Sequence, residues 1–187
     1  MYRLLLLLSL LPLAAALAAR WWFALRVLRG EGRRPCRCDL ERWFSRGGAD
    51  VIQRGEASAL EFGSQLRERA LETWKQEDPK AAGSRENTRR FGMAVPPLSI
   101  LIAVFAVLVG KIPVLGAFAI FLCACALAAV FGLMSLPAEL AAISRAAKKA
   151  RENRSFPRSE DEESVVRCAM ALAWDQSIPP VLRWIGK

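Results

Sequence analysis

The chain has 187 residues, a length that suggests a single compact unit, and 53% of them are hydrophobic. The apolar residues are concentrated in three blocks, which is typical of a membrane protein, and the net charge of +9 comes mainly from basic residues that flank those blocks. This arrangement favours contact with anionic lipid and excludes nucleic acid as the expected partner. We therefore expect an all-α membrane protein with three transmembrane helices, an N-terminal anchor plus a hairpin in the C-terminal half, and short cytoplasmic helices.

The first apolar block, Leu4 to Leu28, predicts an N-terminal transmembrane anchor over residues 1–30. With the aromatic residues Trp21 to Phe23 it reaches the length of about 20 residues that a span needs. A signal peptide is the alternative, because Arg3 supplies a basic start and Ala16-Leu17-Ala18 a small-x-small cleavage site. The aromatic belt and the basic stretch that follows it favour an uncleaved anchor.

Residues 31–92 are polar and predict a cytoplasmic helical segment. Apolar residues from Val51-Ile52 onward recur at helical spacing, most clearly from Ala57 to Gln76. Gly47-Gly48 and Asp78-Pro79 indicate breaks. Lys80 to Arg90 is interpreted as a polar linker.

The second and third apolar blocks, Met93 to Gly110 and Val114 to Leu136, predict a tight transmembrane hairpin over residues 93–136. Gly110, Gly116 and the Ala-rich stretch 124–129 offer small residues for close helix packing. Both open ends of the hairpin are basic, whereas its tip carries only Lys111. The positive-inside rule then places the N-terminus outside and the C-terminus in the cytoplasm of a cell membrane, plasma or inner.

Residues 137–187 predict cytoplasmic or interfacial helices. Pro137 suits the first position of a helix, and Glu139 falls in its first turn, where the helix dipole favours an acid. A break over 153–157 precedes a second helix, from about Glu160 to Trp174, which ends before Pro179-Pro180. The tryptophans Trp174 and Trp184, with Ile185, are expected at the membrane surface.

The sequence has five cysteines and no histidine. The pairs Cys36/Cys38 and Cys123/Cys125 are spaced too closely for zinc knuckles, Cys123 and Cys125 are expected to face lipid or a neighbouring helix, and Cys168 is expected in a helical core. Without histidine there is no Ser-His-Asp triad and no His-liganded zinc. Ser144 and Lys148 have the spacing of a Ser-Lys dyad, but a solvated serine beside a lipid-facing lysine is the expected interpretation.

The layout of anchor, helical segment and hairpin, followed by "LPAELAAISRA", resembles the YugP-like family of membrane zinc metallopeptidases. In that family the hairpin ends in a motif close to L-P-V-E-F-[DN]-A-S-R-R-A, and here the matching residues are Leu136, Pro137, Glu139, Ala142, Arg145 and Ala146. The stretch "SALEFGSQLRERALETW" is similar to the segment that carries the family's H-E-x-x-H motif. There, Glu68 matches the catalytic acid, but Arg67 and Leu71 stand where the two zinc-binding histidines are found.

The resemblance implies a degenerate member with no metal and no cofactor, in which Arg67, Glu68, Leu71 and Glu139 are remnant positions without a catalytic function. Glu139 would match the third zinc ligand, and Arg67 could pair with Glu139 or Glu68 and fill the vacated site. The expected partners are the lipid bilayer and either another membrane protein or a second copy of the chain. The function that follows is binding or scaffolding. The alternative is a small structural or assembly subunit with no peptidase ancestry, and an active peptidase with a site lacking histidine is the least favoured reading.

Overall fold

The structure is a computed structural model that describes residues 2–39 and 55–183. The expectations for Gly47-Gly48, Val51-Ile52, Trp184 and Ile185 lie outside the described residues. Within them the protein is almost entirely helical, which confirms the all-α fold class.

The elements follow one another in a simple order. They are helix α1 (Tyr2–Arg20), a π-helical segment (Trp21–Leu25), α2 (Arg26–Gly30), strands β1 (Pro35–Arg37) and β2 (Glu56–Ser58), and then helices α3 (Ala59–Glu77), α4 (Pro79–Leu108), α5 (Val114–Met134), α6 (Leu136–Glu152), α7 (Ser159–Gln176) and α8 (Pro180–Arg183).

Three helical stretches are long and apolar enough to cross a membrane, as the sequence predicts: Leu4–Gly30, Pro79–Leu108 and Val114–Glu152. Their outer faces carry exposed large apolar side chains, such as Leu11 on α1 and Phe105 on α4, which would face lipid. The helices α4 and α5 form the expected hairpin, and α1 packs against α5. The membrane-spanning part is therefore a three-helix bundle.

Small residues let α1 and α5 approach closely. Ala16 of α1 and Cys125 and Ala129 of α5 are fully buried in one cluster. Gly110, in contrast, does not contribute to helix packing. It is exposed and has φ of 70° in the turn between α4 and α5, a left-handed conformation that glycine adopts without strain.

A helical domain at the basic end of the bundle consists of α3, α6 and α7, with the β1–β2 sheet at its edge. Phe62 of α3, Ile143 of α6 and Val165 of α7 are fully buried in its core, and Cys168 joins them as expected. The close approach of α3 and α7 needs Gly63, because a Cβ there would lie 2.9 Å from Cys168 Cβ. A capping box made by Ser58 and Glu61 starts α3.

Two features differ from the sequence prediction. Lys80 to Arg90 is not a linker but the first part of α4, which begins where Asp78 accepts a hydrogen bond from the Ala81 backbone amide. These polar residues are compatible with a helix. The helix continues without interruption from the domain into the bundle, past residue 92, where the sequence predicts the end of the cytoplasmic segment. The short antiparallel pairing of β1 with β2 was not predicted.

The chain after α7 returns to the bundle. The backbone of Ser177 lies directly against Gly132 of α5, where a Cβ would come within 1.9 Å of the Ser177 carbonyl oxygen. Ile178 and Leu182 are buried against α1 and α5. Trp174 is half-buried and stacks on Phe23 of the π-helical segment, with ring centroids 4.8 Å apart. The domain is thus fastened to the bundle at several points.

Candidate functional site: a buried charge cluster at the base of the hairpin

Glu139 lies in the first turn of α6, immediately after the hairpin, and only 1% of its surface is exposed. Pro137 occupies one of the first two positions of the helix, so α6 begins almost directly at the end of α5. The helices α3 and α4 cover the side chain on the domain side. A carboxylate in such a place is costly unless cations and hydrogen bonds compensate for its lost hydration.

Two arginines provide that compensation. Arg67 of α3 donates its Nε hydrogen to Glu139 Oε1 at 2.6 Å, and Arg85 of α4 donates its Nε hydrogen to Oε2 at 2.7 Å. The Nη2 atoms of the two guanidinium groups lie 2.6 Å and 2.7 Å from the same oxygens. Each carboxylate oxygen is therefore held by its own arginine, and three helices meet at one carboxylate.

Arg85 also anchors the end of the hairpin. Its Nη1 atom donates to the carbonyl oxygen of Gly132 at 2.9 Å and to Ser135 Oγ at 2.6 Å. Gly132 is in the last turns of α5, where carbonyl groups begin to lose their partners within the helix. Arg85 thus joins the terminal turn of α5 to the first turn of α6.

The cluster carries two guanidinium charges against one carboxylate, and both arginines are buried to the same extent, with 7% of their surfaces exposed. Such a group is strongly destabilised by the loss of its carboxylate, because two cations then remain unpaired in a place of low dielectric constant, whereas the loss of one arginine leaves the other paired. Its positive excess repels a further cation. The arrangement can hold three helices in register, and it does not offer a cation an open set of oxygen ligands.

The structure brings Arg67 and Glu139 together, as the sequence hypothesis anticipated, but it separates them from Glu68. Glu68 is exposed and has no ion-pair or hydrogen-bond partner among the residues described. Leu71, one turn after Arg67, is half-buried and packs in a small apolar cluster with Ala142 of α6. The two positions that match histidines in the resemblance therefore share a face directed at α6, whereas the position of the catalytic acid does not.

These residues do not fit the zinc ion that the resemblance would imply. In the described parts of the chain no group of three His, Cys, Asp or Glu side chains has the arrangement needed to hold a metal. Arg67 has no lone pair to offer, Leu71 has no donor atom, and both oxygens of Glu139 already accept hydrogen bonds from guanidinium groups.

The other candidate nucleophiles are placed as structural residues. Ser144 is exposed and donates its hydroxyl hydrogen to the Leu140 carbonyl oxygen, and Lys148 is exposed on the same helix. Burial raises the pKa of the Cys38 thiol to about 12 and that of Cys168 to about 11, so both are thiols rather than reactive thiolates at neutral pH.

Sequence reasoning missed Arg85 as a member of the site and assigned it only a topological role. A signal was present, because the small residues of α4 recur at helical spacing on one side. The buried members of that stripe are Ala82, Arg85, Gly92, Pro96, Ser99 and Ala103. An arginine on a stripe of small residues that faces the protein interior needs a counter-ion. A second, partly buried pair was also missed, between Arg20 at the end of α1 and Asp175 of α7 at 2.8 Å.

No family model, curated protein or solved structure matches the chain.

Proposed function

We propose that this chain is a non-catalytic integral membrane protein with a binding or scaffolding role, and that its buried charge cluster occupies the position of a metal site lost from a zinc metallopeptidase ancestor. The observation that carries the proposal is Glu139, which is 1% exposed and holds Arg67 on one oxygen and Arg85 on the other. A carboxylate used in this way is a structural counter-ion.

The position of the cluster supports a scaffolding role. It joins the helix that leaves the membrane hairpin to α3 and α4, and the Arg20–Asp175 pair joins α1 to α7. We propose that these two charge pairs between elements distant in sequence fix the orientation of the domain. The domain is therefore presented at the membrane in one orientation, which suits the recognition of another membrane protein or of a second copy of the chain.

The exposed position of Glu68 favours the alternative, a small structural or assembly subunit without peptidase ancestry. Ancestry predicts that Glu68, the match to the catalytic acid, lies beside the former metal position together with Arg67, Leu71 and Glu139. Of these four residues, only Glu68 departs from that expectation, because its side chain is exposed. The two proposals share the binding role and differ in the origin of the cluster.

The proposed orientation has the N-terminus outside and the C-terminus in the cytoplasm of a cell membrane. It is supported by the excess of basic residues at one end of the bundle, where Arg20 of α1 and Arg85 of α4 both meet the helical domain. Reporter fusions at the two termini test this directly. If a reporter that folds only in the cytoplasm is active when fused to the N-terminus, the assigned orientation is wrong.

The catalytic part of the proposal is tested with the purified full chain in detergent, supplied with zinc and a mixed peptide library. We expect no cleavage above the rate of a Glu139→Gln variant. Cleavage that a chelator abolishes and that Glu68→Gln removes would overturn the proposal. The binding part is tested by chemical crosslinking in native membranes, where we expect one dominant adduct of defined mass. Only unmodified monomer at crosslinker levels that trap a known membrane complex would contradict it.

A further inference from the structure

A shallow cleft opens on the side of the bundle next to the charge cluster, between α4, α5 and the chain that follows α7. Its enclosed space is small, about 10 Å³, which is room for one water molecule, so a larger ligand would lie at its mouth. Its polar wall is formed by Thr88, Arg89 and Arg183, and its apolar floor includes Gly92, Met93 and Ala128. The cleft thus lies where the apolar part of the hairpin meets the charged domain.

In the part of the chain that the structure describes, carboxylates pair only weakly with the positive charge of the polar wall. Among the described residues no carboxylate lies within ion-pair distance of the Arg183 guanidinium, which donates instead to the carbonyl oxygen of Ile178 at 3.0 Å. Arg89 has only a long contact of 3.9 Å with Glu86, which lies nearer to Arg90 at 3.2 Å. The two cations at the mouth of the cleft are therefore available to an anion.

The surroundings reinforce this positive potential. Burial lowers the pKa of Arg183, the charge of Asp175 opposes this, and the charges of Arg20, Arg89 and Arg67 lower the pKa further. An arginine stays protonated at neutral pH in spite of such a shift. It then gains from any anion that approaches, and guanidinium groups bind phosphate oxygens through two parallel hydrogen bonds.

The position of the cleft relative to the membrane favours the phosphate of a lipid over a soluble phosphate. Arg89 precedes Met93 by one turn of α4, and Met93 is 43% exposed at the start of the apolar span, with Ile100 and Val104 exposed further along the same face of the helix. A phosphate group at Arg89 and Arg183 would thus stand at headgroup level. An acyl chain attached to it could run along the apolar face of α4.

We propose that Arg89 and Arg183 form a phosphate-binding site for the headgroup of an anionic phospholipid, seated in the cleft between α4, α5 and the segment after α7. Thr88 is placed to donate a further hydrogen bond if its hydroxyl turns from the Ser84 carbonyl oxygen to the ligand. The bound lipid would fasten the returning chain at Ile178–Arg183 to the hairpin. This inference is independent of any peptidase ancestry.

The test uses the full chain in neutral detergent with native mass spectrometry, titrated separately with phosphatidylglycerol, phosphatidylcholine and inorganic phosphate. For the wild type we expect one phosphatidylglycerol adduct that survives detergent removal, at least about tenfold tighter than phosphatidylcholine. Arg89→Gln and Arg183→Gln should each weaken that adduct about tenfold, as expected for the loss of a charge-assisted hydrogen bond. The matched control is Arg33→Gln, which removes the same charge from an exposed arginine that does not line the cleft, and it should retain the wild-type affinity.

Each other outcome overturns the proposal. Equal weakening by Arg33→Gln would mean that the effect comes from the general positive charge of the protein. Retention of phosphatidylcholine as strong as that of phosphatidylglycerol would mean that the anionic headgroup is not recognised. Displacement of the lipid by millimolar inorganic phosphate, with no lipid preference, would make the site one for soluble phosphate. Because Arg89 is exposed and has only a long ion pair with Glu86, Arg89→Gln is expected to keep the wild-type melting temperature, so that a lost adduct reports on binding and not on folding.

Discussion

Glu139→Gln is the substitution that perturbs the charge cluster most cleanly, because it retains the shape of the side chain and removes its charge. The carboxylate is 1% exposed, and each of its oxygens accepts from a different arginine. In the variant one of those oxygens becomes an amide NH₂ group that faces a guanidinium donor. One arginine therefore loses its acceptor, and two buried cations remain without a counter-ion.

Removal of one member of a buried ion pair costs about 3–5 kcal/mol. For a chain of this size a loss of 1 kcal/mol lowers Tm by about 2–4 °C, so the variant should melt roughly 10 °C below the wild type. The assay is thermal unfolding in detergent micelles, followed by circular dichroism at the helical band. The control is Glu77→Gln, which removes an exposed carboxylate 3.7 Å from Arg145 and should change stability by less than about 1 kcal/mol. A Glu139→Gln variant that melts within about 2 °C of the wild type would refute the reasoning, because that loss would be below the range for a buried charge.

Three further outcomes follow from the same structure. Arg67→Ala should lower the stability by about 2 kcal/mol in total, which is less than Glu139→Gln, because the carboxylate retains its second arginine. A loss in thermal unfolding as large as that of Glu139→Gln would contradict this. Gly132→Ala should lower Tm, at a cost of about 1–3 kcal/mol, because the new methyl group would come within 1.9 Å of the Ser177 carbonyl oxygen, whereas Gly83→Ala, in open space within α4, should raise it slightly. With its pKa raised to about 11 by burial, Cys168 should resist a maleimide at pH 8 in the folded protein and react after denaturation, as peptide mass mapping would show; labelling before unfolding would count against its buried position.

The parts of the fold that depend on continuous apolar length could be predicted from the sequence. The three spans follow from runs that exceed the bilayer thickness, and α3 follows from apolar spacing that stops before the Asp78-Pro79 break. The start of α6 at Leu136 and its end at Glu152 could be predicted as well. A proline favours the first turn of a helix, and basic residues favour its last turn. Local rules decide all of these features.

The features that depend on tertiary contacts could not be predicted in the same way. A polar stretch such as 80–90 is compatible with a linker or a solvated helix. In the structure it is helical because it continues directly into the first helix of the hairpin. The pairing of β1 with β2 involves three residues from each strand, too few for a period to be recognised. Arg67 was identified as a partner of Glu139 only through the resemblance, and Arg85 was not identified, since the sequence does not state which arginine of a basic segment faces inward.

The most direct test of the central claim is the melting temperature of the wild-type chain in detergent with zinc and with a chelator, together with the metal content of the purified protein. A structural counter-ion held by two arginines predicts substoichiometric zinc and a Tm that is the same in both conditions. A ligand that binds only the folded state at 100 times its Kd would add about 2.7 kcal/mol of stability and raise Tm by several degrees. A rise of that size with zinc, accompanied by one bound zinc per chain and lost in Glu139→Gln, would contradict the account.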